Sequence, residues 1–202
     1  MARPRTTLLT RSRIARAALA RVRATGGFTI PALAGDLGVH PSSLYHHVRG
    51  KAEIIRLVRE ELYAAIDLGP CRDSAAPWQT RLERWVVGYR DATAQAPGVV
   101  PLLIGAAVDD PRTLEIYEAL FEILADAGVP RARRVAVSAM IDAVVLGSAV
   151  DAGSPTPLWL PQDDAFPRLR EATAHADDGD RALAGLALAV PAVVAAVERA
   201  AG

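Results

Sequence analysis

Apolar residues recur along this chain at helical spacing, and strict alternation of the kind strands show is hardly seen. Ile14, Ala17, Ala18, Leu19 and Val22 share one face of a first helix, predicted from about Thr10, its N-cap, to Ala24. Arg11, Arg13, Arg16, Arg21 and Arg23 lie largely off that face, and Gly26-Gly27 ends the helix. Thr29 then caps a short second helix with Pro31 in its first turn, where a missing N–H costs nothing. Leu33, Ala34 and Leu37 point inward and Gly38 stops it. After a Val39-His40 turn, a third helix is predicted from Pro41 to about Val48, ended by Gly50. A fourth starts near Lys51, carries Ile54, Ile55, Leu57, Val58, Leu62 and Ile66, and breaks at Gly69-Pro70.

Residues 70–77 read as a linker. Beyond it, helices are predicted over Trp78–Ala96, Pro111–Ala127 (capped by Asp109 or Asp110, stopped by Gly128) and Arg131–Val150. A short apolar stretch, Val99–Val108, separates the first two. Four prolines make residues 151–167 a long loop, and Asp177-Asp178-Gly179-Asp180 parts two last helices, Arg168–Ala176 and Arg181–Ala200. The apolar share, 51% and mostly Ala, Val and Leu with only 5% aromatics, suits close-packed helices. The predicted fold is all-α: a three-helix unit within residues 1–51, joined by the fourth helix to a helical domain in 52–202.

A net charge of zero conceals an asymmetry. Residues 1–60 hold eleven Arg/Lys against three acids, a net +8, so the remainder carries −8. Such a split suggests that one end meets a polyanion, for which phosphate backbone is the obvious choice. The single cysteine, Cys71, excludes an intramolecular disulfide, fits a reducing cytoplasm and has no metal-ligand company. Two segments invite other readings. Residues 1–25 are Arg- and Ala-rich like a transit peptide, but a basic arm running into a first helix explains them better. Ala182–Val197 is uncharged for sixteen residues, short of the roughly 20 that a bilayer needs, and reads as an interface helix.

The stretch from Thr29 to Lys51 carries the sharpest signal. Ala34 is small where two helices would cross, Gly38 permits left-handed turn geometry, and Val39 plugs the angle between them. Leu44 and Val48 pack inward, leaving Pro41, Ser42, Ser43, Tyr45, His46 and His47 outward. This is the layout of a helix-turn-helix, whose second helix offers its first residues to base edges in the major groove. Leu37-Gly38-Val39, Leu44-Tyr45, His47-Val48 and Lys51 resemble the TetR-family signature at the right spacing. The resemblance implies that Tyr45, His47 and Lys51 contact phosphates and that Ser42 and Ser43 face bases. Thr29 and Pro31, at the start of the second helix, complete the predicted DNA-binding set. His40 and His46 stand equally as solvated residues or peripheral groove contacts.

The resemblance extends more weakly over the rest of the chain and is closest to the tetracycline-receptor branch. Pro77-Trp78-Gln79 opens a helix as in that branch, and Trp85 and Tyr89 fall where it places ligand-facing side chains. That branch uses histidine to hold a metal-chelated drug, notably in the segment matching Val99–Ala107. No histidine is present there, and only His175 lies outside the N-terminal unit, which argues against a metal–tetracycline effector. What remains for a lining is Trp85, Tyr89, Leu102, Leu103, Ile104, Tyr117, Met140 and Val144, which suits a neutral or hydrophobic ligand or is simply core. Asp142, in an otherwise apolar helix, either faces that pocket or is paired across a dimer seam.

Small residues on two helices (Ala139, Ala143, Gly147; Gly185, Ala189, Ala192, Ala196) predict a four-helix homodimer interface. The expectation is therefore a homodimeric, cytoplasmic repressor that binds double-stranded operator DNA and responds to a small-molecule effector, with no resident cofactor, structural metal or membrane partner. Two rivals are a ligand-independent DNA-binding regulator and an enzyme with an incidental basic domain. For the latter the sequence offers no nucleophile–base set, phosphate loop or metal spacing.

Overall fold

The structure is a computed structural model and describes residues 8–155, 157–161, 165–174 and 181–202. Most of the predicted basic arm, His175 and the Asp177–Asp180 break lie outside the described residues. The order is α1 Arg11–Thr25, α2 Ile30–Leu37, α3 Pro41–Leu44, α4 Lys51–Tyr63, α5 Gly69–Arg72, α6 Trp78–Ala94, a 3-10 turn Pro97–Val99, α7 Val100–Leu103, α8 Pro111–Asp126, α9 Arg131–Asp151, α10 Pro167–Ala174 and α11 Arg181–Ala201. Among the described residues there is no strand, and the chain is all-α.

The helix starts follow local chemistry. Thr10 Oγ1 accepts from Arg13 N–H at 3.2 Å, and Thr29 Oγ1 from Ala32 N–H at 3.3 Å. Asp110 Oδ1 accepts from Thr113 N–H at 2.8 Å to open α8. Gly26 and Gly38 end α1 and α2 in the left-handed region, φ 76° and 68°, which glycine enters at little cost. The first three helices close around Ile14, Leu33 and Leu44, each fully buried, and α1 packs along α4. In the larger unit α6 is central, touching α4, α5, α8, α9 and α11.

Of the contacts that hold the head and α4 against the larger unit, two stand out. Arg59 of α4, 3% exposed, donates from Nε to Asp110 Oδ2 at 2.6 Å and from Nη2 to the Ala107 carbonyl at 3.1 Å. At the other contact, a Cβ placed on Gly98 would lie 2.7 Å from Gly26 Cα, so the 3-10 turn and the end of α1 meet backbone to backbone.

Several boundaries differ from the sequence reading. Helical geometry in α3 stops at Leu44, and a hydrogen-bonded turn, with Val48 N–H donating to the Leu44 carbonyl at 3.0 Å, carries the chain on to Gly50. α4 ends at Tyr63 rather than near Gly69, because Arg112 of α8 takes up the freed carbonyls: its Nε donates to Tyr63 O at 3.0 Å and its Nη2 to Ile66 O. The supposed linker starts with a helical turn, α5, which buries Cys71 against the core. Burial pushes that thiol's pKa up. The last helix spans 21 residues, so by length and composition alone it could cross a membrane. Among the described residues it alone passes that test, and its apolar surface is largely uncovered in one chain.

Candidate functional site

The N-terminal unit presents a polar face built from the start of α2, all of α3 and the start of α4. Gly38 turns the chain, Val39 N–H donates to the Ala34 carbonyl at 3.0 Å, and Leu44 and Val48 anchor the far side at 0% and 3% exposure. Of the seven predicted positions, Thr29, Pro31, Ser42, Tyr45 and Lys51 are exposed, and Ser43 and His47 half-buried. Lys51 Nζ rests 5.5 Å from the Phe28 ring centroid, at the first residue of α4. Behind this face an ion pair between Arg11 and Glu53 ties α1 to α4, and Glu53 Oε2 accepts from Arg49 N–H at 2.6 Å. That backbone hydrogen bond is the chief cause holding the Glu53 carboxyl below its ordinary pKa.

Sequence reasoning missed one role here. His40 Nδ1 accepts from Ser42 N–H at 3.3 Å and lies 2.9 Å from Ser42 Oγ, so His40 is the N-cap of α3. The visible cue was its place immediately before Pro41 at a helix start. His46 is exposed.

In the second unit the predicted lining separates into groups. Trp85 and Tyr89 are 2% and 4% exposed, with ring centroids 5.0 Å apart, and Tyr117 lies 6.1 Å from each. Trp85 Nε1 donates to the Ile116 carbonyl at 2.7 Å. The Tyr117 hydroxyl donates to Asp142, with both carboxylate oxygens at 3.0 Å, and lies 3.5 Å from the Tyr89 hydroxyl. Leu102, Leu103, Met140 and Val144 are half-buried against the same core. Val144 also lines a groove of about 230 Å³ between α9 and α11, together with Gly147, Ser148, Asp151, Ala182 and Gly185. Ile104 stands apart at 69% exposure, because the chain leaves α7 there in an extended conformation and turns at Gly105, φ 83°.

The cluster gains a member that the sequence did not single out. Tyr63, at the end of α4 and fully buried, places its hydroxyl 3.5 Å from that of Tyr89 and 3.3 Å from Thr93 Oγ1. A run of polar atoms therefore crosses the core from Asp142 on α9, through Tyr117 on α8 and Tyr89 on α6, to Tyr63 on α4. Burial raises all three phenols' pKa values. It also pushes Asp142 up to about 6, against the opposing pull of the Tyr117 hydrogen bond. On its outer flank α4 borders a cavity of about 650 Å³ lined by Arg49, Glu53, Arg56, Arg59, Ala107 and Asp109 among others.

No family profile matches the chain. A curated HTH-type transcriptional regulator from Saccharopolyspora erythraea is 27% identical over 163 residues, 80% of this chain. The chain spans 66% of that protein's length. The crystal structure of a TetR transcriptional regulator from Streptomyces coelicolor is 25% identical, with TM-score 0.69, covering 95% of this chain and 99% of that one. These likenesses support the resemblance to the TetR family read from the sequence. Another TetR-family structure, Streptomyces coelicolor ActR in complex with actinorhodin, superposes with TM-score 0.77 at 18% identity, covering 97% of this chain and 100% of that one. At that identity it speaks for the TetR fold alone.

Proposed function

We propose that this TetR-like chain is a sequence-specific DNA-binding transcriptional regulator of the cytoplasm, a repressor released from a palindromic operator by a small, largely apolar effector. The observation that carries the reading is the exposed face that joins Thr29, Ser42, Ser43, Tyr45 and Lys51 across a Gly38 turn. Ser42 and Ser43 are short enough for close approach to base edges, and their hydroxyls both donate and accept. Tyr45, His47 and Lys51 surround them with phosphate partners, the last beside the N–H groups that open α4. Two heads are needed to read a palindrome, and the small-residue groove between α9 and α11, with Leu183 and Leu188 exposed on α11, suits helix packing against a second copy.

Effector release is a coupling between two states and requires that the ligand bind them unequally. Tyr63 gives the coupling a physical element, since it belongs both to the aromatic cluster and to the helix that begins at Lys51. Displacing Tyr89 or Tyr117 changes what Tyr63 packs on, and the cavity along α4 leaves that helix room to respond. A mobility-shift titration on the DNA upstream of the chain's own gene, repeated with a small-molecule panel, tests both halves. Lys51→Ala should weaken binding to every sequence and lower the salt slope by about one unit. An unchanged slope removes Lys51 from the phosphate contacts. Exchanging Ser42 or Ser43 should instead alter sequence preference.

A further inference from the structure

A serine hydroxyl is free in principle to donate or to accept, but that of Ser42 is already committed. His40, the N-cap of α3, takes the Ser42 N–H on its Nδ1 at 3.3 Å. A backbone N–H can only donate, so Nδ1 holds a lone pair and the ring carries its proton on Nε2. Ser42 Oγ lies 2.9 Å from that same nitrogen. Two lone pairs do not approach so closely without a hydrogen between them, so the Ser42 hydroxyl donates to Nδ1. What the exposed Ser42 oxygen turns outward is then lone pairs alone.

We infer that His40 is a positioning residue for base readout: it holds Ser42 as a hydrogen-bond acceptor, so that Ser42 selects a base with an exocyclic amine, adenine N6 or cytosine N4. This rests on the reading of Ser42 as base-facing and specifies what it reads. In the major groove those amines are donors, whereas guanine offers O6 and N7 and thymine O4, all acceptors. An acceptor set against Ser42 meets lone pairs, and engaging it requires the hydroxyl to leave Nδ1. His40 would then keep only the longer bond, from the Ser42 N–H. A serine without that neighbour rotates and accommodates either kind of base. Discrimination at this position therefore belongs to His40 and Ser42 together, and not to the serine alone.

The test needs no prior operator. The full chain selects duplexes from a randomised pool, and the position that Ser42 governs is the one whose preference disappears in Ser42→Ala. Adenine or cytosine should dominate there. Exchanging that base for its counterpart without the amine, purine or 2-pyrimidinone, should weaken binding roughly fivefold, the scale of one uncharged hydrogen bond. The same exchange should leave Ser42→Ala unaffected. His40→Ala frees the hydroxyl to donate, and guanine and thymine should then be bound nearly as well. His40→Asn supplies Oδ1 as a replacement acceptor and should restore the preference, whereas a mere loss of the cap would lower affinity for all sequences together. Guanine or thymine dominating with the wild-type chain overturns the inference while Ser42 remains a base contact. An amine preference that survives His40→Ala, or is not restored in His40→Asn, does the same. So does an amine exchange without effect on the wild-type chain, which decides the matter even if His40→Ala does not fold. If Ser42→Ala abolishes no preference, the base-facing reading falls and the inference with it.

Discussion

The N-terminal head and the larger helical unit spend their polar groups in opposite ways. In the head the functional side chains face outward, and several are fixed from behind by local caps: Thr29 on Ala32, His40 on Ser42, Glu53 on Arg49. In the larger unit the polar side chains of Tyr63, Tyr89, Tyr117 and Asp142 hold one another across four helices. An outward group waits for a partner that brings its own charge and water. An inward group already has a partner, so a ligand must displace something before it can bind. The head thus keeps its polar groups available, whereas the core has already paired most of its own.

The sharpest way to break this contrast is to strip a buried charge of its nearest partner. Asp110→Ala removes the carboxylate that Arg59 faces at 2.6 Å, leaving it Asp109 at 3.5 Å and the Ala107 carbonyl, and should cost about 3 kcal/mol in urea unfolding. A loss near zero would mean that Arg59 reaches water. Next in size is Gly98→Ala. Its methyl meets Gly26 backbone at 2.7 Å, and the overpacking should cost about 1–3 kcal/mol, with operator affinity falling because the head is pushed off its seat. Unchanged affinity would show that the head's position is set by α4 alone.

Asp142→Asn comes third. Burial has raised this carboxyl's pKa from 3.8 to about 6, so its contribution to stability is greatest below pH 4 and is lost as pH rises through about 6. The asparagine variant has no such loss, and should gain on the parent across that window, reaching about 1–2 kcal/mol at pH 7 once partial exposure is allowed for. A difference independent of pH would place Asp142 in solvent. The smallest effect belongs to the head: Thr29→Ala removes one cap and should cost about 1 kcal/mol, read as a lower melting temperature.

The contrast also explains what could be read in advance. The helix-turn-helix is a local object. Its caps, its Gly38 turn and its outward residues lie within 23 positions, from Thr29 to Lys51, and spacing alone places them on a common face. Helix starts at Thr10, Thr29, Pro41, Trp78, Pro111 and Arg131 were legible for the same reason. The aromatic cluster draws on four helices between Tyr63 and Asp142, and no spacing rule joins them. Trp85, Tyr89 and Tyr117 were identified, but Tyr63 was not, since an apolar position on a helix already explained by packing gives no sign of what its hydroxyl meets. The end of α4 was misplaced likewise: the guanidinium that terminates it comes from Arg112, 49 residues after Tyr63. Ile104 illustrates the converse, an apolar residue that a single turn at Gly105 carries out of the core.

The abutment of Gly26 and Gly98 carries a mechanical consequence. Two backbones pressed together with no side chains between them cannot slide without separating, yet they can rock, so they act as a fulcrum. α4 is then the arm of a lever. With Tyr63 twelve residues from Lys51, the arm is about 18 Å long, and a displacement of about 1 Å at the Tyr63 end tilts it by about 3°. Such a tilt is small at the pivot and grows outward, toward the surface that carries Ser42 and Ser43. The close approach of Gly98 to Gly26 leaves the head little room at that end to shift without the two backbones parting.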